Sequence, residues 1–94
     1  MLVGSSVRRV AIIGGTRIPF ARSMGVYAEA SNQEMLTVSL KGLVDKFNLR
    51  GEVLGDVGAG AVLKHSKDFN LTRESVLDSG LAPETPAFDL QRAC

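Results

Sequence analysis

The residue types able to act as nucleophile, proton carrier or metal ligand are sparse in this 94-residue sequence: one cysteine, Cys94, one histidine, His65, and ten carboxylates. Cys94 follows Pro86-Ala87-Phe88-Asp89-Leu90-Gln91-Arg92-Ala93, which reads as a buried strand delivering a thiol to the place where a helix would begin. A thiol so placed meets unpaired backbone N–H groups and the positive end of a helix dipole. Its pKa then falls from ~8.5 towards about 3.5–7.5, which makes a usable nucleophile at neutral pH. The competing reading is that a lone cysteine after an apolar run is inert core. No following helix lies within the sequence and a terminal carboxylate sits on the same residue, so the thiol of the 94-residue chain is expected to titrate at or above its ordinary value.

A metal site needs more ligands than Cys94 and His65 supply, and one cysteine cannot form an internal disulfide. His65 lies between Lys64 and Lys67 in a polar stretch and reads as a surface residue. The net charge is +1, with no basic cluster larger than Arg8-Arg9, which argues against nucleic acid or an anionic membrane as partner. No secretory signal core and no membrane-length apolar run is visible, so a soluble, cytoplasmic, reducing setting is expected.

The elements that would position the cysteine can be read in order. Val10-Ala11-Ile12-Ile13 is a continuous apolar run ended by Gly14-Gly15, as expected of a strand covered on both faces. The glycine pair is not a dinucleotide fingerprint, because Thr16 to Pro19 supply neither the spacing nor the helix. Pro19 to Ala30 reads as a loop anchored by Phe20, Met24 and Tyr27.

Ser31-Asn32-Gln33-Glu34 is a capping box, and the helix after it carries Leu36, Leu40, Leu43, Val44 and Phe47 on one stripe, with Asn48 or Gly51 as its left-handed stop. Asp56 to Leu63 reads as a second strand in which Gly58 and Gly60 mark tight packing; a phosphate cradle would need a lysine and hydroxyl that are absent at the required spacing. A short helix is capped by Asn70, stops at Gly80 and is followed by Pro83, with Arg73 pairing inside the fold. Strand, helix, strand, helix, strand predicts α/β with parallel strands, βαβαβ.

Two segments resemble a known family. Phe88-Asp89-Leu90-Gln91-Arg92-Ala93-Cys94 is similar to the approach to the nucleophilic cysteine of thiolases, and Arg17-Ile18-Pro19-Phe20-Ala21-Arg22 resembles the family's arginine-x-proline-phenylalanine segment. Asn70-Leu71-Thr72-Arg73 resembles its asparagine-x-alanine-arginine, with Thr72 adding a hydroxyl where a small residue packs, and Gly60 resembles a glycine in the corresponding strand.

The resemblance covers about Arg8 to Cys94 and implies that residues 1–94 are the opening part of the first half of a thiolase fold, truncated before the helix after Cys94. It further implies that Cys94 attacks the keto carbon of a 3-ketoacyl-CoA, with coenzyme A as a substrate and no other cofactor or metal. The acid–base histidines, the second cysteine and the oxyanion donors lie in downstream motifs. The fragment alone is therefore expected to be inactive.

By resemblance the complete enzyme is a dimer or tetramer of the fatty acid oxidation branch, with Ala87 to Gln91 near the subunit interface. Association with a hydratase-dehydrogenase subunit follows by family analogy alone. The alternatives are a ketosynthase of the same superfamily, against which the Arg17 to Phe20 segment argues, and a non-catalytic pairing or scaffold module.

Overall fold

Ser31 and Glu34 set the start of the longest element. The Ser31 hydroxyl oxygen accepts from the Glu34 N–H at 3.1 Å, and the Glu34 carboxylate accepts from the Ser31 N–H at 3.2 Å. Two of the N–H groups that a helix leaves open are thus satisfied, and helix α1 runs Asn32–Lys46. It ends at Phe47, after which Asn48 takes a left-handed φ of 55° and the Leu49 N–H returns to the Val44 carbonyl at 2.8 Å. A computed structural model describes residues 7–93 of the chain.

Three further elements follow: strand β1 (Val57–Ala59), helix α2 (Leu71–Ser79) and strand β2 (Ala87–Asp89). Asn70 caps α2 by accepting from the Arg73 N–H at 2.9 Å, and Gly80 ends it at φ 98°, a conformation open to glycine and costly for other residues. Arg73 reaches past α2 and donates to the carbonyls of Pro83 and Thr85, each at 2.7 Å, which fixes the turn into β2.

The strands pair in parallel, with Val57 opposite Ala87, Gly58 opposite Phe88 and Ala59 opposite Asp89. A parallel pair needs a crossover, and α2 supplies it. Val44, Val76 and Leu81 form the core between the helices, with Leu40, Leu49, Leu54, Val57 and Ala87 packed around them. The expected α/β class with parallel strands is thus observed.

Two expectations about burial differ. Val10 to Ile13 forms no ladder among the described residues and is exposed, with Ile12 at 94%. A strand buried on both faces needs a paired neighbour and two covering layers, and none of the described elements pairs with it. The segment instead meets α1, where Gly14 lies under the Phe47 ring.

The approach to Cys94, expected as a buried strand, is covered on one face only. Ala87 and Asp89 turn towards α2, while Phe88 and Leu90 alternate outward at 44% and 57% exposure. Nothing among the described residues covers that second face.

Candidate active site

Cys94 itself lies outside the described residues, so the site is defined by how the chain approaches it. β2 ends at Asp89, and the carboxylate of that residue is the most heavily engaged side chain in the structure. Oδ1 accepts from the Thr72 N–H at 2.8 Å and the Thr72 hydroxyl at 2.7 Å; Oδ2 accepts from the Leu71 N–H at 2.9 Å and the Lys64 ammonium at 2.6 Å. Thr72 is fully buried, and the side chain of Asp89 is 12% exposed.

Local sequence explains this arrangement. Leu71 and Thr72 are the first two residues of α2, so their N–H groups have no carbonyl within the helix to bond. Asp89, across the sheet register from Ala59, brings a negative charge to that positive helix end. Burial alone would raise the Asp89 pKa; the Lys64 ammonium, the Thr72 hydroxyl and the two backbone N–H groups outweigh it and hold the carboxyl well below the usual carboxylate range. A general base works best with a pKa near the operating pH, so Asp89 is an ionised anchor and not a proton acceptor.

Beyond Asp89 the chain is held twice more. The Leu90 N–H donates to the Ala59 carbonyl at 2.9 Å, and the Leu90 carbonyl occupies the space in which a Cβ on Gly60 would stand. The Gln91 side-chain amide then donates to the Ala61 and Val62 carbonyls, extending the link between the two segments after the ladder has ended. Arg92 and Ala93 are exposed.

The remaining candidate residues fall elsewhere. His65 is exposed, and its Nδ1 accepts from the Lys67 N–H at 3.1 Å in a local turn, as its charged surroundings predict. Gly58 and Gly60 mark close packing: the Phe88 ring stands 2.5 Å from where a Gly58 Cβ would be. In the Arg17 to Arg22 segment the Arg17 guanidinium sits 4.5 Å from the centroid of the Phe20 ring.

The expected anchoring of the loop by Phe20 and Met24 is not observed, since they are 91% and 87% exposed. Tyr27, the third expected anchor, is half-buried and donates its hydroxyl to the Pro19 carbonyl at 2.8 Å, beside backbone turns at Gly25, Ala28 and Ala30. A polar bond to a carbonyl eight residues away closes the loop on itself without requiring the body of the fold.

Asp89, Lys64 and Gln91 are the residues that sequence reasoning missed. A signal existed. Asp89 shares the inward face with Ala87 at a spacing of two, and a carboxylate on the covered face of a strand demands partners. Thr72, noted as a departure from the resembled pattern, is one of those partners.

Among the described residues no three His, Cys, Asp or Glu side chains gather as a metal site, and no helix is long and apolar enough to cross a membrane.

A two-stranded parallel sheet crossed by one helix, with a second helix packed on it and the sequence's one cysteine five residues after the last strand, defines an α/β unit. Comparison with known families identifies that unit: the thiolase N-terminal domain matches residues 10–94, and the chain belongs to this family. It is similar to the mitochondrial trifunctional enzyme subunit beta of Homo sapiens, 29% identical over 93 residues that cover 99% of this chain and 20% of that protein. The mouse (Mus musculus) counterpart is 28% identical over the same span. A 3-ketoacyl-CoA thiolase of Aliivibrio fischeri (strain ATCC 700601 / ES114) is 29% identical over 86 residues, covering 92% of this chain and 20% of the relative. The chain thus spans about a fifth of the length of the curated relatives it matches.

Proposed function

We propose that these residues are the nucleophile-bearing opening part of a thiolase-type acyltransferase, with Cys94 as the acylated residue. The observation that carries this reading is the family match, which runs through to residue 94. The Cys94 thiolate attacks C3 of a 3-ketoacyl-CoA; the C2–C3 bond breaks, and the acetyl-CoA carbanion takes a proton while the shortened acyl group remains on Sγ as a thioester. A second CoA thiolate then attacks the thioester carbonyl and releases shortened acyl-CoA and the cysteine thiolate.

This chemistry needs a base for the thiol, an acid for the carbanion and donors for two oxyanions. The sequence holds one cysteine and one exposed histidine, so those groups come from outside it and the 94-residue chain alone is inactive. Coenzyme A enters as substrate, and no other cofactor takes part. We place the complete enzyme in fatty acid oxidation, in the cytoplasm, as a dimer or tetramer. A hydratase-dehydrogenase subunit is its candidate partner by family analogy, and the trifunctional enzyme relatives are by name subunits of a larger enzyme.

The test is thiolytic turnover of a 3-ketoacyl-CoA by the native polypeptide that carries these residues, compared with its Cys94→Ser variant. Loss of turnover by at least about a thousandfold in the variant supports the reading. Turnover that survives the substitution refutes it.

A further inference from the structure

The connection between β1 and α2 is tied at both ends and lightly held in its middle. At one end Asn32 of α1 donates its side-chain amide to the Leu63 carbonyl at 2.6 Å, and the Lys64 ammonium meets Asp89. At the other end Asn70 caps α2. Between them, three hydrogen bonds join residues 65–69. The Asp68 N–H donates to the His65 carbonyl at 2.9 Å, the Phe69 N–H to the Lys67 carbonyl at 3.2 Å, and the Lys67 N–H to His65 Nδ1 at 3.1 Å.

Only the last of these depends on a protonation state. A ring nitrogen that accepts is unprotonated, so this bond holds a neutral imidazole with its proton on Nε2. Imidazolium donates from both nitrogens and has no acceptor left for the Lys67 N–H. The charged groups on the connection, and those bonded to it, offer nothing in exchange inside the closed turn. Lys64 and Lys67 are like charges, Asp89 of β2 is taken up by Lys64, and Asp68 forms no ion pair among the described residues. Asn32, which reaches the connection from α1, does not titrate.

The closed turn is also costly for Asp68. Its carboxylate is buried, and neither oxygen meets a donor among the described residues. Opening the turn returns both oxygens to water, which brings the open and closed arrangements closer in free energy. One hydrogen bond then weighs heavily in the balance.

We infer that residues 65–69 form a proton-sensitive latch, closed by neutral His65 on the Lys67 N–H and released when the ring is protonated. Histidine is the side chain that ordinarily changes charge between about pH 5 and 8, so mild acid opens the connection between its two tied ends. The inference does not depend on the role of Cys94.

Amide hydrogen exchange of the native polypeptide, followed by mass spectrometry at about pH 5.5 and about pH 7.5 and corrected for the pH dependence of intrinsic exchange, tests it. His65→Asn keeps an acceptor, because its amide oxygen stands where Nδ1 does, and it does not titrate; His65→Ala has no side-chain acceptor at any pH. In wild type, protection of the peptide covering residues 66–69 is expected to fall about fivefold at the lower pH, the worth of one net hydrogen bond. Peptides from α1 should be unchanged. His65→Asn should stay protected at both pH values, and His65→Ala should show the low-pH behaviour at both. Equal protection of wild type at the two pH values overturns the inference, as does a His65→Asn variant that keeps the wild-type pH dependence. A loss of protection that extends to α1 overturns it too, since the connection would then not open by itself. If His65→Ala does not fold, wild type and His65→Asn decide.

Discussion

Replacing Gly60 with alanine should damage the chain more than any other single added methyl in β1 and its extension. A Cβ built on Gly60 falls far inside van der Waals contact distance of the Leu90 carbonyl oxygen and 3.1 Å from the carbonyl carbon. The obstacle is backbone, so no rotamer change relieves it. Restoring ordinary contact requires the strands to separate by about 1 Å at this point. That displacement carries the Leu90 N–H, now 2.9 Å from the Ala59 carbonyl, out of hydrogen-bonding range.

Overpacking costs about 1–3 kcal/mol and the lost hydrogen bond about 1 kcal/mol, offset by about 0.4–1 kcal/mol from the stiffer unfolded chain. The net is about 2–3 kcal/mol. For a domain of this size that lowers the melting temperature by roughly 10 °C or more. Gly55 is the matched control: nothing lies within 4 Å of its added Cβ, and its φ is outside the left-handed region. Gly55→Ala should therefore leave stability unchanged or raise it slightly. Thermal and urea unfolding, followed by far-ultraviolet circular dichroism, reads both. If the two variants unfold within about 0.5 kcal/mol of each other, the close approach of Leu90 to Gly60 is refuted.

The acid side of the stability profile should report Asp89. Its carboxyl is held below the usual range in the folded chain, so its contribution is complete above the unfolded value of ~3.9 and disappears as pH falls through the lower folded value. Asp89→Asn should flatten the loss of stability below about pH 4, whereas an unchanged acid limb would contradict the four-donor arrangement. At neutral pH, Asp89→Ala leaves the Lys64 ammonium and two helix N–H groups without their acceptor and should cost about 3 kcal/mol, measured by denaturant unfolding. Asn70→Ala removes the cap that accepts from Arg73 and should cost about 1 kcal/mol, with hydrogen exchange accelerating first at Arg73.

What the sequence made legible were the elements whose signals are local. Ser31 and Glu34 announce α1 through a bond pattern complete within four residues, and Asn70 with Gly80 brackets α2 in the same way. The strands at Val57 and Ala87 were legible from apolar runs bounded by turns, and their parallel pairing followed from the helix between them. Val10 to Ile13 carries an equally apolar run, yet a strand exists only where another backbone accepts its hydrogen bonds, and that partner is not a property of the run itself. Phe20 and Met24 were misjudged for a related reason: side-chain size does not say whether a surface stands ready to cover it. The role of Asp89 is not legible in the segment before Cys94, because its partners are 17 to 25 residues away and meet it only once β2 lies beside α2.

The central claim is that Cys94 becomes acylated. The direct measurement is peptide mass spectrometry of the native polypeptide after brief exposure to a 3-ketoacyl-CoA and acid quench, together with its intact mass. The account predicts one acyl group, shorter by two carbons than the substrate's acyl chain, on the peptide containing Cys94. The native mass should also be well above the 10.0 kDa of these 94 residues, or the chain should copurify with a second polypeptide that supplies the rest of the site. An unmodified Cys94 peptide in an enzyme that turns over the same substrate would contradict it.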